Sequence, residues 1–289
     1  MRLPDVEEQK AWAGGILRWS EILFIMAFLI FRVYVSFNTT SPIISVAVIP
    51  QAQPDRVDAT LRLKRGDFTI NRYVPGQAEF AAHPKAIIIF GSGDGGPCGW
   101  EERVCRALQA DGCEMILFDC NAYAKADYDL NILQADMNTI AQSSFSRYGN
   151  PPPPLILGGW SMGAEQAVPA AGGPHRPAGL AGLLLISPGN RGRYGLRDAD
   201  RWNVPPTGKG TFALEDFGQK LNGLRIAQWD ASLDLLGSQA WLGSLTATHK
   251  AFSFPNSLHD YNGASDEFLT VLQQSVAWIL SSPSSEAGP

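Results

Sequence analysis

Gly159-Trp160-Ser161-Met162-Gly163 places a serine between two glycines, immediately after the apolar run at residues 155–157 and before a helical stretch that begins at Ala164. In that setting the serine projects from a sharp strand-to-helix turn, and the flanking glycines let the backbone make the turn without side-chain collision. The helix behind it directs free N–H groups and the positive end of its dipole at a developing anion. A serine hydroxyl is a weak nucleophile at neutral pH and needs an imidazole to take its proton. Of the four histidines, His83 precedes the first solid apolar run, His175 lies in a Gly/Pro loop and His249 begins a run. His259 alone falls in a loop between the last expected strand and the last expected helix, where a base for Ser161 belongs. The carboxylate that orients the imidazole should lie between serine and histidine in chain order, near the end of the penultimate strand. Both Asp230 and Asp234 qualify; Asp234 is preferred because a few loop residues usually separate strand end from acid.

The run at residues 86–90 leads into Gly91-Ser92-Gly93-Asp94-Gly95-Gly96. This loop lacks the Lys-Ser/Thr ending of a phosphate loop and the spacing of a dinucleotide loop. Paired with Ser161 it reads as an oxyanion hole, with N–H donors from Ser92, Gly93 or Asp94 and a second donor at Met162, the residue after the nucleophile.

The elements that must hold these residues follow from patterning. Residues 61–64 and 68–71 alternate apolar and polar about Arg65-Gly66-Asp67, a hairpin signal. Solid apolar runs at 86–90, 115–118, 155–157, 183–186, 224–229 and 251–254 are strands covered on both faces. They alternate with helix-length stretches at 100–110, 128–145 and 266–280, and that alternation means an α/β fold with a mostly parallel central sheet. Residues 189–222 turn irregular and rich in Gly, Pro and Arg, as expected of a cap or lid.

Gly93-Asp94-Gly95-Gly96 with Trp100 just beyond, Leu117-Phe118-Asp119, and Gly159-Trp160-Ser161-Met162-Gly163-Ala164-Glu165 resemble the bacterial virulence-protein family named for VirJ and AcvB, over roughly residues 84–280. The resemblance implies an α/β-hydrolase fold, export or tethering to a membrane, and, for some members, hydrolysis of aminoacylated phosphatidylglycerol.

The chain of 289 residues is 45% hydrophobic and 18% charged, which excludes disorder, collagen and coiled coil. A net charge of -5 without a basic run gives no footprint for nucleic acid. Cys98, Cys105, Cys113 and Cys120 form no C-x-x-C pair and have no histidine at ligand spacing, so they are expected to be small buried residues and no metal or organic cofactor is implied. The uninterrupted apolar run at residues 22–31 ends at Arg32 and is bracketed by Trp19 and Tyr34; residues 19–37 are the expected membrane anchor. Arg2, Lys10 and Arg18 before the run against Arg32 just after it put residues 1–18 in the cytoplasm and the body outside. A linker at 38–57, a hydrolase domain at 58–281 and a frayed tail at 282–289 complete the division. The expected function is a serine hydrolase acting on a small-molecule or lipid ester beside the outer face of a bacterial inner membrane. The other class of function is a non-catalytic accessory that uses the same fold to bind a secretion-system or other protein partner; an ordered Ser, acid and His favours the enzyme.

Overall fold

The computed structural model describes residues 56–202 and 205–281. The expected anchor at 19–37, its linker up to residue 55 and the tail from 282 lie outside the described residues. Among the described residues no helix is long and apolar enough to cross a membrane.

The expected hairpin is β1 (Arg56–Leu63) and β2 (Gly66–Tyr73), antiparallel, with Leu63 opposite Gly66 across the turn. The later strands are β3 (Ile87–Gly91), β4 (Glu114–Phe118), β5 (Leu155–Trp160), β6 (Leu180–Ile186), β7 (Arg191–Arg193), β8 (Thr211–Ala213), β9 (Arg225–Ala231) and β10 (Thr248–Phe254). Eight of them form one sheet in the order β1-β2-β4-β3-β5-β6-β9-β10. The hairpin adds to it antiparallel through β2 and β4, and every pair from β4 to β10 is parallel.

The solid apolar runs have a simple cause. In β3, Ile87 and Ile89 join one buried cluster while Ile88 and Phe90 join the other; in β5, Leu155 and Leu157 face the first and Ile156 the second. Successive side chains of a strand point to opposite faces, so a sheet covered on both sides needs apolar residues at every position. The first cluster takes Leu133, Met137 and Ile140 of the helix Leu130–Phe145 and Val168 and Ala171 of the helix Met162–Gly172. The second takes Val104 and Leu108 of Gly99–Ala110 and Phe268, Leu272 and Val276 of Asp266–Leu280. Among the described residues, two helices of more than ten residues therefore lie on each face.

The stretch expected as a cap holds β7 and β8, paired antiparallel, and two 3₁₀ turns, Asp198–Trp202 and Leu214–Leu221. Arg193 and Asp200 form an ion pair at 2.8 Å, and Tyr194 packs on Phe212 and Tyr128. Gln166 Nε2 of the helix behind Ser161 donates to the Arg193 carbonyl at 2.7 Å.

Of the four cysteines, Cys105, Cys113 and Cys120 are buried as expected, but Cys98 is exposed and all four are free thiols. Cys98 sits at the N-cap of the Gly99–Ala110 helix, before that helix turns its apolar face to the sheet.

Candidate active site

The loops after β3, β5, β6, β9 and β10 meet at the carboxyl ends of these strands, the edge at which open parallel sheets bind ligands. Ser161 follows β5 with φ 50° and ψ -118°, outside the regions favoured by residues with a side chain. The strain is held in place from both sides. Ser161 N–H donates to the Ile186 carbonyl of β6, and the Ser161 carbonyl accepts from Glu165 N–H, closing the first turn of the helix Met162–Gly172. The glycine after it is required by close packing, since a Cβ on Gly163 would lie 2.1 Å from the Gly91 oxygen. That contact presses the helix start against the end of β3.

His259 Nδ1 lies 2.8 Å from Asp234 Oδ2. Asp234 is almost wholly buried, with a side-chain exposure of 1%. Burial pushes its carboxyl up, but the hydrogen bonds from His259 and from Leu236 N–H outweigh that and hold it below the usual carboxylate range. A carboxylate here fixes the tautomer: Nδ1 carries the proton and donates, leaving Nε2 as the acceptor.

Asp230 is not joined to the imidazole. It lies within β9, two residues after Gln228 and on the same face, and its carboxylate accepts from Gln228 Nε2 at 3.1 Å. Burial pushes its carboxyl up to about 6.

Ser161, Met162, Asp94 and His259 line one cavity of about 570 Å³. Ser161 Oγ makes no hydrogen bond to His259 or to any other described residue, a looseness common in sites without substrate. Among the described residues, the N–H groups of Asp94 and Met162 donate to no protein acceptor, so both are free for an oxyanion.

Ser92 and Gly93 are a correction to the sequence reading. Ser92 N–H donates to the Phe118 carbonyl at 2.9 Å, extending the β3–β4 ladder by one bond. Gly93 N–H donates to Glu101 Oε1 at 3.0 Å. Both amides are already engaged, and neither residue lines the cavity.

Three residues of the site escaped the sequence reading. Glu101 is buried, its second oxygen accepts Cys98 N–H at 2.8 Å, and it thereby ties the glycine loop to the start of the Gly99–Ala110 helix. Burial pushes its carboxyl up to about 7. The signal was present as an acid three residues after a helix start. Trp160 donates from Nε1 to the His259 carbonyl at 2.8 Å, and its ring lies against the imidazole with centroids 4.8 Å apart. Glu165 lines the cavity and accepts Gly189 N–H at 3.1 Å; burial pushes its carboxyl up to about 8. Among the described residues no group of three or more His, Cys, Asp or Glu side chains is placed to hold a metal ion.

The sheet order, the strained serine turn and the loops that meet there define the chain as having the α/β-hydrolase fold. No protein-family model and no curated protein sequence matches it. Solved structures do. An α/β serine hydrolase without a lid from Xanthomonas campestris is 19% identical with a TM-score of 0.52, over 79% of this chain and 97% of its own. A thermostable esterase from Pseudomonas putida is 16% identical with a TM-score of 0.57, over 78% and 82%. A dienelactone hydrolase from Anabaena variabilis is 14% identical with a TM-score of 0.54, over 78% and 96%. At such identities the likeness speaks for the fold.

Proposed function

We propose that this chain is a serine hydrolase that cleaves a carboxylic ester. The observation that carries the reading is the 2.8 Å contact from a buried Asp234 carboxylate to Nδ1 of His259, whose ring lines the same cavity as Ser161 at its strained turn. Ser161 Oγ attacks the ester carbonyl while His259 Nε2 takes its proton. The N–H groups of Met162 and Asp94 receive the negative charge that gathers on the carbonyl oxygen. His259 then gives its proton to the departing alkoxide, leaving an acyl group on Ser161. Water, deprotonated by the same imidazole, attacks that acyl group, and collapse of the second tetrahedral adduct frees Ser161. Asp234 stays ionised throughout and favours the imidazolium that forms at each step.

The neighbours in structure support ester hydrolysis in general, since they include esterases and a serine hydrolase. The narrower reading follows the resemblance of Gly93-Asp94-Gly95-Gly96 and the Ser161 motif to the VirJ and AcvB family: an aminoacylated phospholipid as substrate, with the domain held at the periplasmic face of a bacterial inner membrane by residues 19–37. The apolar run at 22–31 supports the tether. A fluorophosphonate probe tests the core of the reading, because it labels only a serine activated by its neighbours. The wild-type chain should be labelled and a folded Ser161→Ala chain should not; equal labelling of both would overturn the assignment.

A further inference from the structure

Five large apolar side chains stand exposed among the described residues, and four of them crowd into two loops of the site. Leu233, Leu235 and Leu236 surround Asp234, and Leu258 precedes His259. Leu235 is 96% exposed. Scattered apolar residues on a surface need no explanation, but a cluster at one place marks an interaction site. The two loops are joined, since Leu233 N–H donates to the Ser257 carbonyl at 3.0 Å and Ser232 N–H to the Phe254 carbonyl at 2.9 Å. Leu236 N–H is in turn spent on Asp234 Oδ1 at 2.8 Å. The leucines are therefore held outward by the same bonds that hold the acid inward.

Their place says what covers them. Leu235 and Leu236 line the cavity of Ser161 and His259, while Leu233 and Leu258 stand exposed beside Asp234 and His259 in the same two joined loops. The wall contributed by residues 189–200 is more polar, with Asn190, Arg191 and the Arg193–Asp200 ion pair beside Leu196. A polar wall and an apolar rim around one nucleophile suit an ester with a polar part and a hydrocarbon chain. A small polar ester would leave the rim bare.

We propose that Leu233, Leu235, Leu236 and Leu258 form the binding site for the hydrocarbon chain of an amphiphilic ester whose carbonyl sits at Ser161. The proposal rests on the ester-hydrolase reading and adds the part of the substrate that the rim recognises. Chain length should then be read in kcat/KM, because each methylene laid on the rim leaves water.

The test uses the full chain and the double variant Leu235→Ser/Leu258→Ser, whose exposed positions make little contribution to the core. The substrates are 4-nitrophenyl butyrate and 4-nitrophenyl decanoate, kept below the concentration at which the decanoate aggregates. The ratio of kcat/KM for decanoate over butyrate should fall about tenfold in the variant, the effect of roughly two methylenes left uncovered. An unchanged ratio overturns the proposal. A second readout separates this idea from the hydrolase reading: binding of methyl butyrate and of methyl decanoate by calorimetry to the Ser161→Ala chain, with and without the two leucine changes. A chain-length-dependent binding that the leucine changes weaken supports the site even if the wild-type chain turns over no ester, in which case the hydrolase reading falls by itself. Unweakened binding overturns the site whatever the turnover. If the double variant instead loses association with phosphatidylglycerol vesicles while the ester ratio stays the same, the rim docks on a bilayer and the substrate-chain proposal is wrong.

Discussion

At the scale of single residues, two aspartates four positions apart divide two roles. Asp234 lies beyond the end of β9, where the chain has turned far enough to present its carboxylate to His259, whereas Asp230 is still within the strand and spends its oxygens on Gln228. Asp234→Asn should therefore lower kcat on the order of 10⁴-fold, since the amide keeps the shape but no longer favours the needed tautomer and imidazolium. Asp230→Asn should cost less than about tenfold in the same assay, a bound set by hydrogen-bond energies of about 1 kcal/mol. Steady-state kinetics on the two folded variants decide it, and similar losses in both would place the acid elsewhere. Glu165 has a different signature. Burial raises its carboxyl from 4.5 to about 8, so the folded chain holds that proton more tightly than the unfolded chain. The stability it contributes is fully present below about pH 4.5 and is lost as the pH rises through about 8. Glu165→Gln keeps an uncharged acceptor for Gly189 N–H. Melting curves should accordingly show the variant gaining on the wild type between pH 5 and pH 9 by at least about 2–4 °C, the shift roughly 1 kcal/mol produces in a chain of this size. A constant difference across that range would mean that Glu165 is ionised in the fold.

At the scale of elements, the serine turn depends on how closely one helix start approaches one strand end. A methyl on Gly163 would meet the Gly91 oxygen at 2.1 Å, and backbone on both sides leaves nothing that can yield cheaply. Gly163→Ala should lower stability by about 1–3 kcal/mol, the usual cost of overpacking, and Tm by several degrees. Gly149→Ala, where a Cβ would meet nothing within 4 Å, is the matched control and should leave Tm within about 1 °C, as surface changes usually do. The elements legible in the sequence were those with many residues buried on both faces or one long amphipathic face. The closing helix is Asp266–Leu280, the same residues that its pattern indicated. The short elements were not legible: the helix Ala78–Ala82, the helix Cys120–Ala124, and the three-residue strands β7 and β8. Three residues cannot show a period, and β7 is held by Arg193 reaching Asp200 and the carbonyls of Thr207 and Lys209, contacts that no local pattern announces. The same limit applied to the glycine loop. Its composition pointed to amide donors, but which amides remain unspent depends on Phe118 in the next strand and on Glu101 in the next helix.

At the scale of the whole molecule, the residues from Pro54 onward form one compact unit that contains Ser161, His259 and Asp234 together with both buried clusters. The task proposed for the residues before 54 is the membrane tether. Their most distinctive feature is the apolar run at 22–31, closed by Arg32, which can lift its charge to a headgroup while its stem stays among hydrocarbon. As the proposed tether, a run of ten residues falls short of the roughly 20 that span a bilayer as a helix, which leaves Trp19, Tyr34 and the mixed residues on either side to supply the remainder at the interfaces. The full chain is accordingly expected to sediment with membranes after a carbonate wash, and a chain starting at Pro54 to remain in the supernatant with its turnover of a soluble short-chain ester intact. The two measurements separate tether from catalyst. A full chain that stays soluble would remove the tether and leave the catalytic unit untouched. A soluble but inactive chain from Pro54 would show that residues 1–53 take part in turnover, contrary to a catalyst contained in the unit from Pro54 onward.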